Sequence, residues 1–247
     1  MSGHSKWSQI KRQKGVADAK RGQLFTKLGR EISVAVRQGG ADTQANFKLR
    51  LIIQKARDNN MPLDNIDRAI RRASGGSDGA ALAEVTYEGY GPGGSAILVQ
   101  VLTDNKNRTL SEVRNILSRG GGNLGENGCV SWVFDSRGVI IINAAKLNAE
   151  EVALFAIDAG AEDVKIEGNT LEVHTQPQDL EAVRKALELN KVSITSSELS
   201  MVPKTMVKLD EKSALQALRL LEKLEELDEV QHVYSNADFP DDVVGKY

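Results

Sequence analysis

Residues 74–79, Ser-Gly-Gly-Ser-Asp-Gly, divide the 247-residue chain into two parts that differ in pattern and charge. Small, polar residues of this kind are typical of a linker. Before them, apolar residues recur with the 3.6-residue period of helices, and after them short β-rich runs alternate with helical segments. The residues up to Ser74 carry a net charge of +10, and the rest carry −12. This stretch therefore predicts a boundary between a basic helical module and an acidic α/β body.

Three apolar stripes predict three short helices before the linker. The first helix is predicted to end at Gly39-Gly40, the second to cover residues 46–58, and the third to begin at Pro62 and stop at Gly75-Gly76. Glycine commonly terminates helices, and proline suits a first helical position because its missing N–H needs no partner there. Residues 1–21 lack such a stripe and predict an arm that is partly disordered when free.

Beyond the linker, the order of predicted elements indicates two ferredoxin-like sandwiches. One is complete, with the order βαββαβ, whereas the ββαβ segment before it and the βαβ segment after it are incomplete and need each other. Strands of this split sandwich are predicted at residues 85–90, 97–103, 130–134, 205–209 and 230–234. The predicted fold class is α+β: an N-terminal basic three-helix module followed by two ferredoxin-like α/β sandwiches, one inserted into the other. The predicted domains are 1–76, 80–136 with 204–238, and 137–203.

Composition restricts the class of protein. Cysteine occurs once, at Cys129, and histidine three times, which argues against a disulfide framework and a structural zinc site. No run of 18 apolar residues occurs, and no apolar stretch follows the N-terminal positive charges, so neither a membrane span nor a signal peptide is expected. These features predict a cytoplasmic protein with no cofactor, no metal and no membrane partner.

No grouping of residues predicts catalysis. The glycine-rich stretch at residues 89–94 lies between two strands and predicts a hairpin turn with glycine at positive φ. The stretch at residues 120–125 follows a helix, so it predicts helix termination, with contact to a partner as the alternative. His174 and His232 each lie within a predicted strand, and Cys129 is expected to be a small buried hydrophobe. The chain is therefore predicted not to be an enzyme.

Positive charge and an aromatic ring occur together in the arm. Lys and Arg neutralise phosphates and release counterions, and Trp7 can stack on an unpaired base. Alternatively, Trp7 anchors the arm on the helical module, and the basic residues that end the third helix complement its dipole. The residues predicted to bind nucleic acid are His4, Lys6, Trp7, Lys11, Arg12, Lys14, Lys20, Arg21, Lys27, Arg30, Arg68, Arg71 and Arg72.

Several motifs resemble those of the YebC/PmpR family, which includes the mitochondrial translational activator of cytochrome oxidase. They include Gly3-His4-Ser5-Lys6-Trp7, Asn59-Asn60-Met61-Pro62, Tyr87-Glu88-Gly89-Tyr90-Gly91-Pro92-Gly93-Gly94 and Asp104-Asn105-Lys106-Asn107-Arg108-Thr109. The similarity extends over essentially the full chain. It implies one helical and two α/β domains and a non-enzymatic role. Family members are commonly described as DNA-binding transcriptional regulators, and others resemble ribosome-associated factors that help translation.

Charge alone leaves the polymer open, because promoter DNA and ribosomal RNA present the same phosphates. We expect a non-enzymatic nucleic-acid-binding regulator, with a DNA-binding transcriptional regulator as the first interpretation. A ribosome-associated translation factor that binds RNA is the alternative, and a small-molecule sensor with a cleft between the sandwiches is a third hypothesis. The acidic residues between 222 and 242 are expected to repel nucleic acid, either holding the body away from phosphate or docking a basic protein.

Overall fold

A computed structural model of the protein describes residues 18–75, 82–145 and 147–246. The chain forms two compact units. One consists of residues 135–202, and the other combines the described residues up to Phe134 with those from Pro203 onward. Three helices come first in the larger unit, and each unit contains antiparallel strand pairs, so the predicted α+β fold class is confirmed. The finer division at residues 76, 137 and 203 stays a prediction.

The elements follow one another in this order. The helical module contains α1 (Asp18–Gly39), α2 (Phe47–Asp58) and α3 (Leu63–Ser74). Next come β1 (Ala83–Tyr90), β2 (Ala96–Thr103), α4 (Lys106–Arg119), β3 (Asn123–Leu124) and β4 (Phe134–Asn143). These are followed by α5 (Ala149–Asp158), β5 (Asp163–Glu167), β6 (Thr170–Thr175), α6 (Leu180–Leu189) and β7 (Ile194–Pro203). The last elements are β8 (Val207–Lys208), α7 (Glu211–Glu225), β9 (Val230–Ser235), β10 (Ala237–Asp238) and α8 (Asp241–Lys246).

The helical module has its own apolar core, built from the predicted stripes. Its fully buried members include Leu28, Ile32, Leu49 and Ala56. Asn46 joins two helices, because its side chain accepts a hydrogen bond from Leu49 N at 3.0 Å and donates one to Ala35 O at 2.8 Å. The asparagine thereby caps α2 and ties it to α1.

The ends of the predicted helices need small corrections. Helix α1 begins at Asp18, so residues 18–21 are helical and do not belong to an irregular arm. Pro62 is the N-cap of α3 and not its first helical residue. The second helix has Asn46 as its N-cap and ends at Asp58, close to the predicted bounds. The shift at Pro62 is within the one or two residues by which helix ends usually vary, whereas the start of α1 includes four residues that are predicted to lie in the arm.

A four-stranded sheet in the order β3-β1-β2-β9 supports the larger unit. Its core is formed by apolar side chains of β2, α4, α7 and β9, including Val99, Leu117, Leu221 and Val233. The close approach of β3 to β1 requires glycine, because a Cβ on Gly89 would lie 2.5 Å from the backbone oxygen of Asn123. Gly93 and Gly94 in the β1–β2 turn have φ angles of 69° and 76°, as predicted for this hairpin.

Two strands predicted for the split sandwich are wrong. Residues 130–134 do not form its third strand: Ser131–Val133 is a 3-10 turn, and β4 begins at Phe134 and continues to Asn143. The edge of the sheet is instead the short β3, which pairs with β1. In place of a strand at residues 205–209, only β8 is extended, and it pairs in parallel with β10 outside the main sheet.

The unit of residues 135–202 has the predicted ferredoxin-like order. Its elements run β4-α5-β5-β6-α6-β7, and its strands lie in the order β5-β6-β4-β7. Fully buried residues occupy alternate positions of β4 and β6 and recur along α6, among them Ile140, Ile142, Leu171, Val173 and Leu187. Alternation within the two central strands and a helical stripe therefore build this core.

Candidate nucleic-acid interface

The predicted binding residues fall into three groups by their place in the structure. Six of them, His4, Lys6, Trp7, Lys11, Arg12 and Lys14, lie outside the described residues. Lys20 is in the first turn of α1, and Arg21 follows it as an exposed residue. The others divide between α1, which carries Lys27 and Arg30, and α3, which carries Arg68, Arg71 and Arg72.

Lys27 and Arg30 contact the backbone at the end of helix α7 and just beyond it. Lys27 Nζ donates to Glu225 O at 2.5 Å, and Arg30 donates to Asp228 O at 2.5 Å. Gln23, one turn earlier on α1, donates to Glu226 O at 2.7 Å. The last carbonyl groups of a helix lack partners within the helix and carry the negative end of its dipole. Two residues predicted to bind phosphate thus also satisfy backbone carbonyls of their own chain.

Further polar contacts join the helical module to the rest of its unit. Glu31 Oε1 lies 3.5 Å from His232 Nε2, and Lys48 Nζ lies 3.3 Å from Glu84 Oε2. His232 stacks on Tyr234 with ring centroids 5.7 Å apart. The acidic segment beyond residue 222 therefore docks, at least through residues 225–228, on the basic module of the same chain.

A groove of about 390 Å³ lies between α1 and α3. One wall is formed by Phe25, Thr26, Gly29, Arg30 and Ser33 of α1, and the other by Asn65, Arg68, Ala69 and Arg72 of α3. A Cβ built on Gly29 has no atom within 4 Å. The groove is therefore open where the backbone of α1 passes Gly29, and it carries three arginines.

Arg68 and Arg72 are the arginines that α3 contributes to this groove. They are exposed and four residues apart, so they lie on one face of the helix. Within the described part of the chain, neither makes a hydrogen bond or an ion pair. Like charges at this spacing destabilise a helix by roughly 0.2–0.5 kcal/mol. The arrangement is thus suited to an anion that is not part of the described chain.

Arg71 differs from these two arginines. It is exposed, but it is not among the residues that line the groove. Its Nε is 3.4 Å from Asp67 O in the preceding turn, a long hydrogen bond within the same helix. The three arginines predicted together at the end of α3 are therefore not equivalent, because only Arg68 and Arg72 converge on one cavity.

Sequence reasoning did not find Glu88, which organises the loop between β3 and β4. Glu88 is 4% exposed, and its carboxylate accepts hydrogen bonds from the backbone N–H of Gly128 at 2.7 Å, Val130 at 2.8 Å and Ser131 at 2.7 Å. Burial by itself raises the pKa of this carboxyl, but the hydrogen bonds favour its charged form and leave the pKa below its ordinary value. A glutamate within a strand gave no sequence signal for this role, because its partners lie in a distant loop.

The loop held by Glu88 displays Trp132, which is 68% exposed. The indole Nε1 donates to Cys129 O at 3.0 Å, and the hydroxyl of Tyr90 donates to the same oxygen at 3.2 Å. Cys129 is expected from the sequence to be buried, but it is only half-buried. Burial, together with the charge of Glu88, raises the pKa of its thiol, so this sulfur is not an activated nucleophile. The loop thus presents an aromatic side chain whose polar edge is fixed.

The histidines within strands both have carboxylate neighbours. In the 135–202 unit, His174 Nε2 lies 2.7 Å from Glu172 Oε1, and both side chains are buried. His232 has Glu31 as its neighbour, as described above. Among the described residues, no group of three or more His, Cys, Asp or Glu side chains is placed to hold a metal ion. Nor is any helix in those ranges both long and apolar enough to cross a membrane.

Comparisons with known proteins agree over nearly the whole chain. The family model described as the TACO1/YebC protein N-terminal domain matches residues 5–76, and the one described as the TACO1/YebC second and third domain matches residues 82–237. A probable transcriptional regulatory protein of Dehalococcoides mccartyi is 56% identical over 247 residues, which cover 100% of this chain and 98% of that protein.

Two further relatives extend the comparison. A probable transcriptional regulatory protein of Moorella thermoacetica is 56% identical over 243 residues, covering 97% of this chain and 96% of its own length. The crystal structure of a conserved hypothetical protein from Aquifex aeolicus is 44% identical, with a TM-score of 0.83, and the match covers 90% of this chain and 92% of that one. Sequence and fold therefore place the chain among the same relatives.

Proposed function

Because the chain belongs to the TACO1/YebC family, we propose that it is a cytoplasmic, non-enzymatic regulator that binds nucleic acid through its N-terminal helical module. The relatives named as probable transcriptional regulatory proteins support regulation of transcription, and we propose DNA as the polymer. The basic arm and the α3 residues Arg68 and Arg72 contact phosphate, and the acidic α/β units do not.

The pair of Arg68 and Arg72 is the observation that carries this proposal. Two exposed guanidinium groups on one helix face, with no partner in the described chain, can neutralise two phosphates at once. A guanidinium group also presents several donors in a planar fork that matches phosphate oxygens. An anionic polymer supplies successive phosphates, and each contact releases counterions. Binding to phosphates would offset the repulsion between Arg68 and Arg72, which destabilises the free helix at this spacing.

The two basic residues of α1 that contact α7 have a different role in this proposal. Lys27 and Arg30 each donate to a carbonyl oxygen close to the end of α7. They hold the helical module against the acidic segment. In this proposal, other basic residues of the module and the arm bind the polymer. The phosphate-binding surface is therefore assigned to the arm together with Arg21, Arg68 and Arg72.

The experiment that tests the function compares polymers and salt concentrations. Binding of the full chain to a promoter duplex and to a ribosomal RNA fragment of equal length is measured by fluorescence anisotropy between about 50 and 200 mM salt. We expect preferential binding to the duplex and a steep loss of affinity as salt rises. Preferential binding to the ribosomal RNA, with co-sedimentation of the chain with ribosomes, would replace transcription by translation as the regulated process.

The arm is tested in the same assay by replacing Lys6, Lys11, Arg12 and Lys14 with Ala. Each lost phosphate contact is expected to reduce the slope of log affinity against log salt by roughly one unit. A matched control replaces Lys165, Lys185, Lys191 and Lys212, which lie in the α/β units. If the arm substitutions leave the slope unchanged, the arm does not contact phosphate and is not part of the binding surface.

A further inference from the structure

The groove between α1 and α3 is too small for a duplex. Its volume is about 390 Å³, within the usual range of roughly 300–1,000 Å³ for pockets that hold a small molecule. The major groove of B-DNA alone is about 12 Å wide, so a double helix can touch the rim but cannot enter. A part of a nucleic acid that fills this space must therefore be a single nucleotide that is unstacked from its neighbours.

The lining of the groove combines apolar and hydrogen-bonding surface. Phe25 is a partly buried aromatic residue at the edge of the module's core, and Met61, which is 6% exposed, also lines the groove. Across the groove, the side-chain amide of Asn65 makes no hydrogen bond to any described residue, and an amide can both donate to and accept from the edge of a base. Aromatic side chains and amides are the groups by which proteins hold unpaired bases.

The charges on α3 lie beside this lining. Asn65, Arg68 and Arg72 are spaced by three and four residues along the helix, so they share one face. A base against Phe25 and Asn65 would thus have its phosphates beside two guanidinium groups. Gly29 leaves space for it, since a Cβ at this position meets nothing within 4 Å. Glycine inside a helix destabilises it relative to alanine, and because an added Cβ meets no neighbour, packing does not require glycine at position 29.

From this arrangement we infer that the groove binds one unpaired nucleotide, with its base between Phe25 and Asn65 and its phosphates at Arg68 and Arg72. This inference rests on the proposed function and makes it more specific: besides contacting a duplex at its phosphates, the chain holds one base where a strand is single or locally opened. The stacking contact makes the site tolerant of base identity. Arg68 and Arg72 serve duplex and single strand alike, whereas the groove serves only the single strand.

The test uses the full chain and three fluorescent ligands: oligothymidylate, an abasic oligomer of the same length, and a duplex of that length. The unmodified chain is expected to bind oligothymidylate about tenfold more tightly than the abasic oligomer, the loss expected when one base loses its stacking contact. In Gly29→Leu, whose side chain fills the groove, this difference is expected to disappear while duplex binding is unchanged. Gly22→Leu is the matched control, because a Cβ there also meets nothing within 4 Å and Gly22 does not line the groove.

The outcomes separate this inference from the proposed function. If Gly29→Leu retains the full preference for oligothymidylate over the abasic oligomer, the groove does not hold a base. The same conclusion follows if this variant loses affinity for oligothymidylate and for the duplex equally. If the unmodified chain binds none of the three ligands, the proposed function itself fails. The comparison of oligothymidylate with the abasic oligomer needs no substitution, so it decides the point even if Gly29→Leu unfolds: equal affinities would overturn the inference.

Discussion

Replacing Glu88 with Ala is expected to lower the free energy of unfolding by about 3 kcal/mol or more, since the loop loses three backbone hydrogen bonds to a charged acceptor and hydrogen bonds to charged groups contribute about 1.5–3 kcal/mol each. The side chain is almost fully buried, and water cannot easily replace it. Urea unfolding followed by circular dichroism measures the change.

The matched control for this substitution is Glu84→Ala on the same strand. Glu84 forms a surface ion pair with Lys48, in which the two side chains are 52% and 48% exposed. Such pairs contribute about 0–1 kcal/mol. Equal urea midpoints for Glu88→Ala and Glu84→Ala would show that the loop is not held by the Glu88 carboxylate.

The lowered pKa of Glu88 also leads to a prediction for how the free energy of unfolding depends on pH. Its pKa in the folded chain lies below the ordinary value, which for glutamate is about 4.3. A group with a lowered folded pKa contributes stability that is fully present above its unfolded pKa and is lost as pH falls through the folded pKa. We therefore expect an acid-induced loss of stability that begins near pH 4 and is smaller in Glu88→Gln, which has no charge to lose.

Replacing Arg68 and Arg72 together with Ala is expected to weaken nucleic-acid binding roughly a hundredfold, since hydrogen bonds to charged groups contribute about 1.5–3 kcal/mol each. The slope of log affinity against log salt should fall by about two units, one for each phosphate contact. Both residues are exposed and make no contact that the described fold needs. Thermal unfolding should therefore occur at nearly the same temperature as in the unmodified chain.

The control for this double substitution is Arg57→Ala combined with Arg71→Ala. It removes the same charge from exposed positions of the same module that do not line the groove. A general effect of net charge would weaken binding equally in both variants. Equal losses would thus show that the Arg68 and Arg72 pair is not a defined phosphate site.

The parts of the fold that the sequence predicts are those specified by local patterns. The helices of the module follow from apolar residues at helical spacing, and Gly39-Gly40 marks the end of α1. The 135–202 unit follows from a complete order of short strands and helices. The strand predicted at residues 130–134 is wrong although their apolar composition suits a strand. The backbone N–H groups of Val130 and Ser131 donate hydrogen bonds to the Glu88 carboxylate and not to a neighbouring strand.

The candidate site is only partly predictable for the same reason. Net charge identifies the helical module, but it does not distinguish Arg30, which donates to Asp228 O at a separation of 198 residues, from Arg68, which has no partner among the described residues. The groove arises where α1 and α3 pack together, so Phe25 and Asn65 gain a shared role only in the folded chain. Long-range contacts of this kind leave no periodic signal in the sequence.

Hydrogen exchange of the full chain, with and without saturating nucleic acid, tests most directly whether the helical module is the binding surface. Bound ligand stabilises the elements it contacts against local opening. We predict slower exchange of amides in α1 and α3, centred on residues 25–30 and 65–72, with little change in the 135–202 unit. Protection confined to residues 135–202, with no change in α1 or α3, would contradict the account.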